Sequence, residues 1–176
     1  MSLSLYDTSV ASYQQVLGGV ANILDKGAQH AAEAGLDLEE LARFKLRDDM
    51  LPFSFQLISC WHHSLNAIKG IKAGEFAPPP KMSDMTYSKC QALVAEAIEG
   101  LQDETPEEIN ALADKPLIFR MGGNEIPFTA ANFIISFSLP NFYFHATTTY
   151  DMLRMHGVPL GKMDYLGAIR VGGPAH

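Results

Sequence analysis

The chain has 176 residues, 47% of them hydrophobic, and a formal net charge of −7 from 20 acidic and 13 basic side chains. This length and apolar content predict one domain with a real core, and an acidic chain without a basic patch argues against nucleic acid as a partner. Two cysteines, Cys60 and Cys90, are too few for a disulfide framework. We find no secretory signal and no stretch of about 18 apolar residues, so we expect a cytoplasmic protein without a membrane segment.

Apolar residues spaced three and four positions apart predict a first long helix over residues 3–34. Gly35 follows directly and is placed to end this helix. A second long helix is predicted over residues 51–73, with Pro52 in the first turn, where a missing N–H costs nothing. The proline run in GEFAPPPK ends this helix, because three consecutive prolines cannot continue it.

The third long helix is predicted from Ser83, a candidate N-cap, to about Leu101. A short helix follows, with Thr105 as its cap and proline in its first position. Two apolar runs then flank the stretch Gly122-Gly123-Asn124, which predicts a β-hairpin.

The last long helix is predicted to begin after Thr129, to be kinked by Pro140 and to end at Gly157. Together with the three earlier long helices it gives four long helices, which is typical of an all-α fold. The sequence therefore predicts a single domain over residues 1–176, a four-helix bundle with a small β-hairpin before the last long helix.

Two adjacent histidines, His62 and His63, lie within the second predicted helix, in the stretch SCWHHSLN. Adjacent helix positions are about 100° apart, so only one of the two can point straight into the core. Neutral imidazole is a good ligand for zinc, nickel or iron, and a bundle core can collect ligands from facing helices. The structural alternative is that one histidine packs and bonds a neighbour while the other meets solvent. This alternative is favoured, because buried polar groups usually find ordinary partners.

His145 lies in the last predicted helix, among the aromatic residues of NFYFHATTTY. A metal-binding pair on one helix usually has two strong ligands four residues apart. The residue four positions before His145 is Asn141, whose neutral amide oxygen is a weak ligand for a transition metal. The pattern therefore favours a hydrogen-bonded Asn141–His145 pair. Gln56 shares a helix face with Pro52 and Cys60, which places it to reach the core.

The stretches LRDDMLPFSFQ and NFYFHATTTYDMLRMHGVPLGKMDYLG resemble an uncharacterised bacterial domain-of-unknown-function family in the DinB/YfiT-like superfamily, and the resemblance covers nearly the whole chain. It implies a DinB-like four-helix bundle, often a homodimer, in a superfamily that includes candidate metalloenzymes and thiol transferases. Such members hold a divalent metal with one histidine from helix two and a pair from a later helix. His145 matches the second member of that pair, Asn141 stands in the place of the first, and His62 or His63 lies near the helix-two position.

The function is open between two hypotheses. In the first, the protein is a small-molecule-binding or dimeric interaction module with an altered pocket that holds no metal. This pocket is lined by His145, Asn141, Tyr143 and Gln56. In the second, the protein is a transferase or hydrolase in which His145 and a helix-two histidine bind a divalent metal such as zinc or nickel. The first is favoured, because a catalytic zinc site usually has three protein ligands and the sequence offers one secure candidate. A second copy of the chain is the expected protein partner.

Overall fold

The computed structural model of the chain describes residues 3–172 and is mostly helical, with a small three-stranded sheet. The predicted domain also includes residues 1–2 and 173–176, which lie outside the described residues. Within residues 3–172, every helix is too short or too polar to cross a membrane.

The first long helix is α2 (Val10–Ala34), which is preceded by the one-turn helix α1 (Leu5–Thr8). The single helix predicted over residues 3–34 is thus divided, because the backbone breaks at Ser9, where φ is −109° and ψ is −87°. Gly35 ends α2 as predicted. Its φ of 70° lies in the left-handed region, which glycine adopts without strain.

A π-helical turn divides the second long helix into two α-helical parts. The second long helix consists of α4 (Phe53–Trp61), the first π segment (His62–Asn66) and α5 (Ala67–Ala73). A separate short helix, α3 (Leu38–Arg43), precedes it. Pro52 is the N-cap of α4, and Gly74 ends α5 with a φ of 86°. The predicted helix is therefore present, but its middle turn follows a different hydrogen-bond pattern, which is frequent at functional sites.

The third long helix, α6 (Tyr87–Gly100), begins after Thr86 rather than at Ser83. The Thr86 hydroxyl accepts a hydrogen bond from the backbone N–H three residues later at 3.2 Å, as an N-cap does. The backbone before it is not helical, since Asp84 has a φ of 53°. A helix beginning at Ser83 would need Asp84 in the right-handed region.

The sheet is built from a hairpin and one additional short strand. The hairpin follows the short helix α7 (Pro106–Asn110) and consists of β2 (Pro116–Met121) and β3 (Asn124–Thr129). The additional strand, β1 (Glu75–Phe76), comes earlier in the chain, directly after α5. β2 and β3 are antiparallel and join through Gly122 and Gly123, whose φ values of 58° and 82° suit a type I′ turn. β1 pairs with β2 in parallel, because the chain leaving α5 lies along the hairpin edge.

The last long helix is also divided by a π turn. Its parts are α8 (Ala130–Phe133), the second π segment (Ile134–Ser138) and α9 (Leu139–Met155). The Thr129 hydroxyl caps α8, as predicted. The π turn ends two residues before Pro140, which has no N–H to donate. Gly157 follows the end of α9 with a φ of 82°, and a final helix, α10 (Lys162–Leu166), lies against α2.

The core lies among the long helices, since α2 and α4 each pack against both α6 and α9. Its largest fully buried side chains include Tyr13, Phe53, Tyr87, Phe133 and Phe142. The extensive contact between α4 and α9 brings two candidate site elements side by side. The sheet packs beside the first π segment through the buried Phe76.

Candidate functional site

Both histidines of the first π segment are buried, with 6% of His62 and 7% of His63 exposed. The expectation that one of the two would meet solvent is therefore wrong. The reason is that the second helix is covered on two sides. The strand β1 packs its Phe76 ring on His62, and the last helix packs Phe137 and His145 against His63.

His62 faces the chain that leaves α5. Its Nε2–H donates to the Ala77 carbonyl at 2.8 Å, and its ring centroid lies 4.4 Å from that of Phe76. Nδ1 is buried without a partner among the described residues. Burial lowers the pKa of His62, although the Ala77 carbonyl opposes this by favouring the protonated ring. His62 is therefore neutral at pH 7, and its Nδ1 is an unused acceptor.

The His63 ring lies nearly parallel to the His145 ring. Their ring centroids are 6.4 Å apart with an interplanar angle of 11°, and Phe137 covers His63 at 5.6 Å. The His63 Nδ1 is buried and has no partner among the described residues. Burial is the largest cause that lowers the pKa of His63 to about 3, and the neighbouring His62 and His145 lower it further. Protonation here would place a charge in a largely apolar enclosure.

Gln56 orients the His145 ring. The Gln56 side-chain N–H donates to the backbone carbonyls of Leu51 and Pro52 at 3.2 and 3.3 Å, which leaves its Oε1 as an acceptor. His145 Nδ1–H then donates to Gln56 Oε1 at 2.8 Å. This bond assigns the tautomer and leaves the lone pair on Nε2. Burial lowers the pKa of His145 to about 4, so the ring is a neutral acceptor at pH 7.

The other two residues of the predicted pocket lie elsewhere on α9. Asn141 Nδ2 donates to the Phe137 carbonyl at 2.7 Å, so the expected Asn141–His145 hydrogen bond is replaced by one within the helix. Tyr143 is 38% exposed and lines an apolar groove of about 710 Å³ with Leu139. Residues two positions apart on an α-helix are rotated by about 200° around its axis, so Tyr143 and His145 lie on different faces of α9. The structure therefore brings together His145 and Gln56 and adds His63.

Ser138 is a site residue that the sequence analysis missed. Its hydroxyl donates to the His63 carbonyl at 2.8 Å and accepts a hydrogen bond from the Tyr13 hydroxyl at 3.1 Å. All three side chains are buried, so this chain of bonds ties the two π segments to α2. The only sequence signal is a serine at a buried position of an apolar run, IISFSLP, which must find a partner.

The imidazoles are close together, but their donors are not arranged as a metal centre. The His62 and His63 ring centroids are 5.4 Å apart, yet within residues 3–172 no group of three His, Cys, Asp or Glu side chains is placed to hold a metal ion. The Asn141 amide, which stands in the place of the first histidine of the implied pair, bonds its own helix instead. These residues do not fit the metal site that the DinB resemblance implied.

Comparison with known proteins places the chain in a family. A crystal structure of a DinB family member protein from Shewanella denitrificans is similar to this chain, with a TM-score of 0.79 and 26% sequence identity. The similarity covers 97% of this chain and 96% of that one, in agreement with the DinB-like resemblance in the sequence. No curated protein matches. Residues 5–166 match the family described as Domain of unknown function (DUF1993), and the chain belongs to this family.

Proposed function

We propose that this protein is a small-molecule-binding module, with a site formed by His145, Gln56 and His63. The observation that carries the proposal is the 2.8 Å bond from His145 Nδ1–H to Gln56 Oε1. It fixes His145 Nε2 as a hydrogen-bond acceptor. Nε2 has no bond to the described residues and is not among the fully buried unpartnered atoms, so it keeps an exposed lone pair.

The surroundings favour a small aromatic ligand that carries one O–H or N–H donor. Phe55 and Phe144 pack edge-on against the His145 ring, with centroids 5.9 and 5.1 Å away. Aromatic walls with a few fixed polar atoms are the usual composition of a small-molecule site. A neutral imidazole accepts a bond from such a ligand, whereas a protonated one does not. The chemistry supported here is therefore binding and hydrogen-bond acceptance.

The wider architecture is part of the same proposal. We infer one domain over the whole chain with a four-helix bundle of the DinB type, supported by the mutual packing of α2, α4, α6 and α9. A homodimer is proposed on the family resemblance, and a cytoplasmic location on the two free, buried cysteines. Tyr143 and His145 lie on different faces of α9. A dimer contact at one of these residues therefore need not involve the other.

The binding proposal can be tested with phenol and toluene, which share an aromatic ring and differ in the O–H donor. We expect phenol to shift the side-chain ¹⁵N signal of His145 in a saturable manner and toluene to do so at least about tenfold more weakly. His145→Leu should abolish the difference in binding between phenol and toluene. Gln56→Leu should reduce this difference, because it removes the hydrogen bond that fixes the His145 tautomer. His30→Gln, which removes a histidine beside Gly157, is the matched control.

Two results would refute the proposal. One is equal binding of phenol and toluene, because it would mean that Nε2 is not used. The other is stoichiometric zinc or nickel in protein purified without a histidine tag, lost in His145→Ala, as measured by elemental analysis. That second result would favour the metal-dependent enzyme.

A further inference from the structure

We propose a second site, a carboxylate-binding cleft between α5 and β1. The cleft has a volume of about 420 Å³, which is within the usual range for small-molecule sites. The lining residues that matter for its chemistry are His62, Asn66, Lys69, Phe76, Pro78 and Arg120. This proposal is independent of the proposed function, since it uses none of His63, Gln56 and His145.

The cleft is shaped by close packing of β1 on α5. A Cβ on Gly70 would lie 3.0 Å from the Phe76 ring and 3.1 Å from the Glu75 carbonyl oxygen, so only a small residue allows this approach. Phe76 and Pro78 both line the cleft. These apolar groups suit a short hydrocarbon or aromatic body.

One of the two basic side chains that line the cleft has no acidic partner among the described residues. The charged lining residues are Lys69, Arg120 and Glu75. Arg120 pairs with both Glu75 and Glu125, at 2.8 and 3.0 Å, so its charge is already compensated. Lys69 makes no ion pair among the residues that the structure describes. Its ammonium group is thus available for an anion.

A hydrogen-bond donor lies beside that charge. The Asn66 side-chain amide is half-buried, lines the cleft and makes no hydrogen bond within residues 3–172. Its NH₂ group can therefore donate to a ligand in the cleft. His62 also lines the cleft, but its unpartnered Nδ1 is an acceptor and does not serve a carboxylate. Together with Lys69 and the apolar lining, the Asn66 donor fits a monocarboxylate with a short apolar body.

The experiment uses benzoate and its neutral isostere benzamide as probes of ¹⁵N-labelled protein. We expect millimolar benzoate to shift the backbone amide signals of residues 66–77 in a saturable manner, and benzamide to bind at least about tenfold more weakly. Lys69→Gln should weaken benzoate binding by about tenfold, because it removes a charge-assisted bond. Lys72→Gln, one turn further along α5 and ion-paired with Glu104, is the matched control and should leave binding unchanged.

His145→Leu separates this proposal from the preceding one, because it should remove phenol discrimination and leave benzoate binding intact. The cleft proposal is overturned if benzoate shifts no signal in residues 66–77, or if benzamide binds equally well. It is also overturned if Lys69→Gln and Lys72→Gln have the same effect.

Discussion

Mild acid should destabilise this protein, because two buried histidines, His62 and His63, and the half-buried His145 are neutral in the folded state. The pKa of His145 is lowered to about 4 and that of His63 to about 3, in both cases mainly by burial, and the pKa of His62 is lowered in the same direction. In the unfolded chain each imidazole returns to about 6.5. Between these values the unfolded state binds protons that the folded state does not.

The sign and size of the effect follow from this difference. The stabilisation is complete above pH 6.5, and it is lost as the pH falls toward the folded-state pKa values. Each neutral histidine contributes a slope that approaches about 1.4 kcal/mol per pH unit. At pH 5 the free energy of unfolding falls by about 2 kcal/mol for each fully enclosed histidine ring and by about 1 kcal/mol for a partly hydrated one. Protonation linked to His63 and His145 together therefore lowers the free energy of unfolding at pH 5 by about 2–4 kcal/mol. The whole free energy of unfolding of a typical protein is about 5–15 kcal/mol.

Urea unfolding followed by circular dichroism at pH 7, 6 and 5 measures this loss. His63→Leu and His145→Gln should each reduce the decrease between pH 7 and pH 5 by about 1–2 kcal/mol, whatever they do to stability at pH 7. His30→Gln should leave the decrease unchanged. Asp7 and Asp164 have pKa values lowered from 3.8 by hydrogen bonds, so their contribution is lost only at lower pH. An equal free energy of unfolding at pH 7 and pH 5 in the wild type would refute the reasoning.

The long helices were predictable because local signals and tertiary packing agree in them. Apolar spacing placed four long helical regions, and Gly35, Thr105 and Thr129 marked termini where the structure has them. The start of the third helix was not predictable in the same way. Ser83 and Thr86 both offer a capping hydroxyl, and the choice between them depends on the left-handed backbone of the residue that follows Ser83.

The candidate site was only partly predictable, because its bonds join residues that are distant in sequence. The sequence placed Gln56 toward the core and identified His145, but it could not pair them across 89 positions. It assigned Asn141 to His145 by helical spacing, whereas a carbonyl in the same helix turn is the nearer acceptor. The two π segments gave no periodicity signal, since each spans only five residues. They are joined by a tertiary bond from Ser138, which local sequence cannot reveal.

Two further substitutions test the packing that supports the site. Ser138→Ala should cost about 1–3 kcal/mol of unfolding free energy, because it removes the bond to the His63 carbonyl and leaves the buried Tyr13 hydroxyl without its acceptor; a smaller loss would count against this link. Gly19→Ala should cost about 1–3 kcal/mol and increase hydrogen exchange in α10, because its Cβ would lie 2.0 Å from the Tyr165 carbonyl oxygen. Gly18→Ala is the matched control. Its Cβ has nothing within 4 Å, so it should stabilise the helix by about 0.5–1 kcal/mol. Similar melting temperatures for the two variants would show that α10 does not pack on α2 as closely as described.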